Sequence, residues 1–469
     1  MRKKINSAGL LWVLCMAVLL AACEEPREVP PPRVHAHHYD VSLTLDPERR
    51  HLTGSTALRL TGVSDELTLS FANLAVDSVS VNGRRVIHQQ DRDRDRVYLL
   101  TMPGVSQDTV TVQLWYRGAP RVGLPSRSML GHDIVYTEGW PDDVRGWLPG
   151  THHPARPATL DLELKTPVGG TAVATGVLHS RDTTDATVTS RWSLSTPVPT
   201  YTFGFAFGPF EDVEISDRIS LARIPDLDEA EDQLKRVPEA FAYFEELLGP
   251  YPFEEARIVP LPHDHAGMEY AMMPSVQADL LQQGESSTWT HSPEAVVVHE
   301  MAHQWAGNAF PIEDWRDLWL SEGMATYLTV LFYAHVDGPE AALEKLEALH
   351  DQLGGGGDWT PLYPDSPVAP AAHLTRDLYN RGALVLHALR EAAGDEAFAA
   401  ALAEVFDLEE SRKLSTERLE EALGGSGDER IGSIFATYVY SVEVPAAPST
   451  PVEPLTQPAM AAGTEIHDR

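Results

Sequence analysis

The stretch Val296-Val297-Val298-His299-Glu300-Met301-Ala302-His303-Gln304-Trp305 organises the rest of the chain. Residues four apart lie on one face of an α-helix, so the His299 and His303 imidazoles point the same way. Two imidazoles placed like this can bind one zinc ion at about 2.0–2.1 Å. Glu300 lies one residue further round the helix, where its carboxylate can approach a water on the metal, as the H-E-x-x-H pattern requires. The stretch therefore predicts a zinc site with its own general base.

Flanking residues favour a helix at this position. Ser292 is suited to the N-cap, Pro293 to the first helical position and Glu294 to the positive end of the helix dipole. Gly307 is a suitable C-terminal stop.

A second segment supplies the third ligand. Trp319-Leu320-Ser321-Glu322-Gly323-Met324-Ala325-Thr326-Tyr327 is typical of the start of another helix, and eighteen residues separate His303 from Glu322. Two imidazoles and one carboxylate leave a fourth position of a tetrahedral zinc open for water, which indicates a catalytic metal rather than a structural one. We therefore expect one Zn²⁺ bound by His299, His303 and Glu322.

These two segments carry a family resemblance. The pair H-E-M-A-H-Q-W-A-G-N and W-x-D-L-W-L-S-E-G-M-A resembles the gluzincin zinc aminopeptidases of the aminopeptidase N and leukotriene hydrolase family. The resemblance implies an all-β sandwich or saddle domain followed by a thermolysin-like, mainly helical catalytic domain. We expect no large helical C-terminal domain of the kind common in the family.

The resemblance also implies further site residues. Tyr379, in the context Y-N-R-G-A, is similar to the family tyrosine that stabilises the oxyanion. Gly267-Met268-Glu269-Tyr270 is similar to the family's G-x-M-E-N stretch, in which the glutamate holds the substrate's α-ammonium group. Gly267, Met268 and Glu269 are therefore expected to bind substrate, with the glycine admitting its backbone.

The sequence departs from the family pattern at several positions. Thr329 stands where an acidic residue usually supports a zinc ligand, so we expect that support to come from elsewhere. Arg381 replaces a lysine. Family members often place a polar residue of the β domain beside the amine site. An ungapped match puts Trp140 at this position, and Glu138 is near enough to serve instead.

Four histidines outside the motif are expected to take no part in the chemistry. His152 and His153 occupy a predicted loop with no partner ligands nearby in sequence. His263 and His265 are expected to be exposed to solvent.

Composition and the N-terminal residues indicate the number of domains, the kind of partner and the cellular location. A chain of 469 residues predicts two or more domains, and a formal charge of −33 argues against nucleic acid as a partner. Residues 1–22 resemble a signal peptide, and Leu20-Ala21-Ala22-Cys23 resembles a bacterial lipobox. We therefore expect lipid modification of Cys23 and attachment to the cell-envelope membrane, with the outer membrane or periplasmic face favoured.

Patterning along the chain predicts the domain boundaries. Residues 23–37 are rich in Pro and charge and are expected to form a tether. Alternating and β-branched segments predict a β domain over 38–215, including a strand over 201–207. Helical periodicity, including a helix over 226–248, predicts a catalytic domain over 216–442. A Pro, Ala and Thr-rich composition over 443–469 predicts a disordered tail.

Taken together, the residues and the resemblance predict a zinc metallopeptidase that removes N-terminal residues from peptides with a free amine. Two alternatives stay open: an endopeptidase or other zinc hydrolase with an open cleft, and a non-catalytic surface binding protein. The oligomeric state and the preferred side chain are not indicated by the sequence.

Overall fold

The computed structural model describes residues 33–99, 108–227, 230–283, 288–354, 359–366, 369–408 and 412–457. The predicted signal peptide and Cys23 lie outside these ranges. The strands in chain order are β1 His35–Asp46, β2 His51–Thr61, β3 Leu67–Ser70, β4 Ala75–Val81, β5 Arg84–Val86, β6 His88–Asp91, β7 Arg96–Leu99, β8 Val110–Gly118, β9 Ser126–Met129, β10 His132–Tyr136, β11 Ala158–Pro167, β12 Thr171–Ala174, β13 Val177–Thr183, β14 Thr187–Val198, β15 Phe205–Gly208, β16 Glu211–Ser216, β17 Ile219–Arg223, β18 Ala256–Leu261, β19 Gly267–Met268 and β20 Ser275–Gln277.

The N-terminal half is a mainly β domain, as the sequence predicts. Its largest sheet has the order β13-β14-β11-β1-β2-β8-β4-β5, in which only the β1–β11 pair is parallel. Smaller sheets of order β12-β15-β10-β9 and β3-β7-β6 complete the domain. Strand β8 shows why these segments form strands: Val110, Val112, Leu114 and Tyr116 alternate inward to the core while Trp115 remains exposed.

A second sheet opens the catalytic domain. Its order is β16-β17-β18-β20-β19, with parallel pairing of β18 to both β17 and β20. Strand β19, the two residues Gly267 and Met268, forms one edge of this sheet and pairs antiparallel with β20. The predicted boundary between residues 215 and 216 falls inside β16, whose partner β17 belongs to this second sheet.

Helices make up most of the rest of the catalytic domain. They are α1 Ala230–Gln233, α2 Val237–Leu248, α3 Ala278–Gln283, α4 Pro293–Ala302, α5 Leu318–Asp337, α6 Pro339–Leu353, α7 Pro370–His373, α8 Arg376–Ala393, α9 Asp395–Val405, α10 Thr416–Ala422 and α11 Glu429–Ile434. Helix α5 is the central one, since every residue from Leu318 to Ala334 is buried. None of the helices in the described ranges is both long and apolar enough to cross a bilayer.

Two predicted elements differ from the structure. The strand predicted over 201–207 is a 3-10 turn at Thr200–Thr202 followed by the short strand β15. The single helix predicted over 226–248 begins later and is broken between α1 and α2. Pro238 explains the break, because it has no N–H to donate to the carbonyl of the preceding turn.

The tail prediction is wrong for residues 443–457. This segment has no regular secondary structure, yet it lies against the catalytic domain with Val452 and Leu455 buried. The Val452 amide donates to the Pro339 carbonyl at 3.1 Å, and the Tyr243 hydroxyl donates to the Leu455 carbonyl at 3.0 Å. Overall composition predicted disorder, but two buried apolar side chains and these two hydrogen bonds to the segment's backbone hold it against the domain.

Candidate functional site

The two histidines of the H-E-x-x-H motif lie at the C-terminal end of helix α4. Ser292 caps the helix, and its hydroxyl accepts a hydrogen bond from the Ala295 amide at 3.3 Å, as predicted. His303 follows the last helical residue but keeps helical dihedral angles, so the four-residue spacing still brings the rings together. The Nε2 atoms of His299 and His303 are 3.0 Å apart.

The tautomer of His303 is set by the backbone. Its Nδ1 donates to the Ala306 carbonyl at 2.9 Å, which leaves the lone pair on Nε2, the atom facing His299. Gly307 follows with φ of +113°, and a Cβ at this position would lie 2.6 Å from the Ser321 hydroxyl. The turn after the helix therefore needs glycine.

Glu322 reaches the same point from helix α5. Its Oε2 atom lies 3.2 Å from His303 Nε2 and 3.5 Å from His299 Nε2. Ligands at about 2.0–2.1 Å from a tetrahedral zinc are separated from one another by about 3.3 Å, so the three atoms match the spacing of a zinc site. The donor set, two imidazole nitrogens and one carboxylate oxygen, is also that of a catalytic zinc.

Electrostatics favour a cation at this point. Burial disfavours charge on His303, but the adjacent Glu322 carboxylate outweighs it and raises the pKa of His303 to about 10. Burial also disfavours charge on Glu322, but His303 and His299 lower the pKa of Glu322 to about 2. The carboxylate is therefore ionised and stabilises positive charge between the two imidazoles.

Glu300 is buried beside the ligands without being one of them. Burial, together with the Glu269 and Glu322 carboxylates, raises the pKa of Glu300 well above its usual range. Gly267 on edge strand β19 faces this side chain, since a Cβ on Gly267 would lie 2.8 Å from both Glu300 Cγ and Val296 Cγ1. Any side chain at position 267 would therefore collide with the motif helix.

Glu269 lies in the same cleft, 7% exposed, at the end of strand β19. Its carbonyl accepts a hydrogen bond from the Asn308 side chain at 2.7 Å, and Gln304 accepts one from the Met272 amide at 2.9 Å. Burial raises the pKa of Tyr201 well above its usual range, as do the nearby Glu269 and Glu322 carboxylates, so its hydroxyl stays protonated as a donor. Besides the zinc ligand Glu322, the cleft therefore holds two buried acidic side chains, Glu269 and Glu300.

Tyr379 approaches the zinc ligands from helix α8. Its ring centroid lies 5.9 Å from that of His299, and burial together with Glu322, Glu269 and Glu300 raises the pKa of its hydroxyl well above the usual range. Helices α5 and α8 come close enough for this because both carry glycine where they cross. A Cβ on Gly323 would lie 2.8 Å from the Gly382 Cα.

One cleft collects most of the predicted site residues. Met268 is an exception: its side chain is 3% exposed and is not among the described residues that line the cleft. The lining consists of His265, Ala266, Gly267, Glu269, Trp289, Thr290, His291, Ala295, Val296, His299, Glu300, His303, Glu322, Thr326, Thr329, Gln352, Arg376, Tyr379 and Asn380.

Comparison with known families agrees with this geometry. Residues 233–438 match the Peptidase family M1 domain, and residues 35–202 match the Peptidase M1 N-terminal domain. The chain belongs to the M1 family of zinc metallopeptidases. The resemblance to aminopeptidase N and leukotriene hydrolase, the two-domain fold and the zinc cofactor are confirmed.

Individual M1 proteins show how far the similarity extends. The M1 zinc metallopeptidase of Deinococcus radiodurans is 26% identical with a TM-score of 0.71, covering 89% of this chain and 96% of that chain. Yeast LTA4 hydrolase shares the fold at 19% identity and a TM-score of 0.77, covering 93% of this chain and 73% of that chain. Aminopeptidase M1 of Arabidopsis thaliana is 25% identical, covering 85% of this chain and 49% of its own length. The chain spans about half the length of several curated relatives that it matches.

The structure accounts for two departures from the M1 pattern. The Thr329 hydroxyl donates to the Ala325 carbonyl at 2.8 Å within its own helix, so the support for a zinc histidine comes instead from the Ala306 carbonyl. Arg381 is buried and donates to the Thr360 carbonyl, with Asp377 3.4 Å away.

The remaining histidine predictions have mixed outcomes. His152 is a partly buried structural residue that hydrogen-bonds Thr200 and the Leu148 carbonyl. His265 is partly exposed, but His263 is only 3% exposed, so the prediction that it faces solvent is wrong. Sequence spacing could not show that the β domain covers it.

Three residues that position the M1 site were missed by the sequence analysis. Gln304 and Asn308 lie inside the quoted motif, and their polar side chains in an apolar stretch were a usable signal. Tyr201 comes from the β domain, and only the packing of the two domains brings it to Glu269.

Proposed function

We propose that this M1 protein is a zinc aminopeptidase, which removes residues one at a time from the free N-terminus of peptides. The observation that carries the proposal is the buried Glu269 carboxylate in the same cleft as the three zinc ligands. A carboxylate there gives an α-ammonium group a charge-assisted partner, and so selects the first residue of a chain. A Deinococcus radiodurans M1 metallopeptidase of 27% identity has been crystallised as a mutant bound to Tyr-ser-ala substrate.

Each of the cleft residues has its own role in hydrolysis. Zinc, when bound, supplies Lewis acidity and lowers the pKa of a coordinated water towards about 7. Glu300 accepts a proton from the attacking water and passes it to the leaving amine. The Tyr379 hydroxyl donates a hydrogen bond to the oxygen of the cleaved carbonyl as charge develops there. Gly267 lets the substrate backbone lie along the edge strand.

Product analysis tests this proposal. The full chain is incubated with an unblocked ten-residue peptide, and the products are followed over time by mass spectrometry. An aminopeptidase gives a ladder of peptides shortened from the N-terminus, together with free amino acids. Internal fragments as first products would identify an endopeptidase, and a zinc-loaded protein with no products would favour a binding role.

We further propose that the protein is anchored by lipid on Cys23 to the bacterial cell envelope. The support is in the sequence alone: a basic start at Arg2-Lys3-Lys4, an apolar segment and the lipobox. Cys23→Ala should abolish labelling by radioactive palmitate in a bacterial host and move the protein from the membrane fraction to the soluble fraction. Unchanged labelling and fractionation in that variant would refute the anchor.

A further inference from the structure

A second cluster of two imidazoles and one carboxylate joins the two domains. Glu138 follows strand β10 of the β domain, whereas His263 and His265 follow strand β18 of the catalytic domain. Glu138 Oε1 lies 2.5 Å from His265 Nε2 and 3.8 Å from His263 Nδ1. One ligand atom from each of the three lies within 4.8 Å of the other two.

The backbone assigns the lone pair of His265. Its Nδ1 lies 2.7 Å from the Gly267 carbonyl, and only a protonated nitrogen can bond to a carbonyl. In the neutral ring, Nε2 is therefore the unprotonated atom, and Nε2 faces Glu138. An unprotonated ring nitrogen and an ionised carboxylate are both acceptors, so this contact requires either a proton or a metal ion between them.

His263 is held by Ser275, whose hydroxyl lies 3.3 Å from the Met268 carbonyl and 2.7 Å from His263 Nε2. When the hydroxyl donates to the carbonyl, it accepts from Nε2. His263 Nδ1 is then the unprotonated atom. It is fully buried, has no hydrogen-bond partner in the described part of the chain, and faces the same Glu138 oxygen.

The unpartnered Nδ1 of His263 distinguishes a metal site from an ordinary ion pair. A protonated His265 paired with Glu138 would explain the short contact between them. It would leave His263 Nδ1 buried without a hydrogen-bond partner in the described part of the chain, which is costly. A cation bound to all three atoms satisfies both imidazoles and the carboxylate at once.

The cluster shares its donor set with the catalytic ligands. At the catalytic site His303 is fixed by a hydrogen bond to the Ala306 carbonyl, and here His265 and His263 are fixed by Gly267 and Ser275. The ring centroids are 4.6 Å apart at His299 and His303, and 4.2 Å apart at His263 and His265. Outer hydrogen bonds of this kind are the usual companions of metal-binding histidines.

We propose that Glu138, His263 and His265 form a second zinc site, which fastens the β domain to the segment that leads into strand β19. Two imidazole nitrogens and one carboxylate oxygen suit Zn²⁺. The bend over residues 264–266 stacks the His263 and His265 rings, while Asp264 between them pairs with Arg127. The His265 side chain is 42% exposed, which gives the ion a route in.

Metal counting tests the proposal without relying on activity. The full chain is stripped with a chelator, titrated with zinc sulfate up to about ten equivalents, desalted, and analysed for zinc by mass spectrometry. The expected result is two zinc ions per chain in the wild type, one in His265→Ala and one in His303→Ala. Asp264→Ala is the matched control, since it removes the residue between the two ligands, and it should keep two.

Two further variants guard against misfolding and test the second imidazole. Glu138→Gln keeps the shape of the side chain but removes the charge, and it should also bind one zinc. Ser275→Ala removes the hydrogen bond that orients His263 and should weaken the second zinc about 10- to 100-fold. The circular dichroism spectrum and thermal midpoint of every variant are recorded in parallel.

Two results would overturn the proposal. One is a single zinc per chain in the wild type that His303→Ala abolishes. The other is two zinc ions that persist in both His265→Ala and Glu138→Gln. In either case the cluster is an ion pair between domains, whatever the enzymatic activity proves to be.

Discussion

Glu300 is the side chain whose substitution should separate zinc binding from turnover. It is buried against the ligands but is not among the three ligand atoms. We expect Glu300→Gln to keep the catalytic zinc and to lower kcat by about 10²- to 10⁴-fold, the usual contribution of a general base. Zinc content and peptide turnover are measured on the same preparation. Glu294→Gln, the same change on the same helix, is the control, and a Glu300→Gln enzyme with normal turnover would exclude the assigned role.

Tyr379 makes a different contribution, since its hydroxyl should act mainly in the transition state. Tyr379→Phe keeps the ring that lies 5.9 Å from the His299 ring, so zinc should remain bound. We expect kcat to fall by about 10²- to 10³-fold with little change in KM. Steady-state kinetics of the variant are compared with those of Tyr440→Phe, which alters an exposed tyrosine. An unchanged kcat would mean that another donor holds the oxyanion.

At the residue scale, local spacing predicted the zinc ligands, whereas the positions of Tyr201 and His263 depend on long-range packing and could not be predicted. His299 and His303 are four residues apart on one helix, so their convergence follows from helix geometry. Tyr201 and His263 depend on contacts between the β domain and the catalytic domain. No local pattern reports such contacts, so Tyr201 was missed and His263 was placed on the surface.

Among the elements, edge strand β19 packs so closely against the motif helix that a side chain added at Gly267 should disturb the cleft. Gly267→Ala would bring a Cβ to 2.8 Å from Glu300 Cγ and Val296 Cγ1. We expect the protein to fold but to lose most of its kcat/KM, because either Glu300 or the strand must shift. Activity and circular dichroism are compared with Gly427→Ala, where the added Cβ meets nothing within 4 Å. Wild-type activity in Gly267→Ala would show that the strand position is not critical.

Element boundaries were predictable where capping residues mark them. Helix α4 begins after Ser292, as the capping residues predict, and helix α6 has similar markers, Pro339 at its first position and Gly354 after its last. Short strands such as β9 and β12 were not predicted, because four residues carry too little periodicity to distinguish a strand from a loop. Their pairing partners, distant in sequence, decide their structure.

At the scale of the whole molecule, residues 443–457 contribute to the stability of the catalytic domain. Leu455 is 1% exposed, and removal of a buried leucine side chain costs about 2–5 kcal/mol. We expect Leu455→Ala to lower the urea midpoint of unfolding clearly, whereas Val442→Ala, at an exposed position, should leave it unchanged. Equal urea midpoints for the two variants would instead support the prediction from composition that this segment is disordered.

The central claim is that Glu269 makes the zinc site an aminopeptidase site, and one measurement addresses it directly. The kcat/KM of the full chain is measured on a single peptide with a free and with an N-acetylated N-terminus, for wild type and Glu269→Gln. We predict that wild type cleaves only the free peptide and that Glu269→Gln lowers this rate about 10- to 100-fold, as expected for the loss of a charged hydrogen bond. Comparable cleavage of the acetylated peptide by wild type would contradict the account.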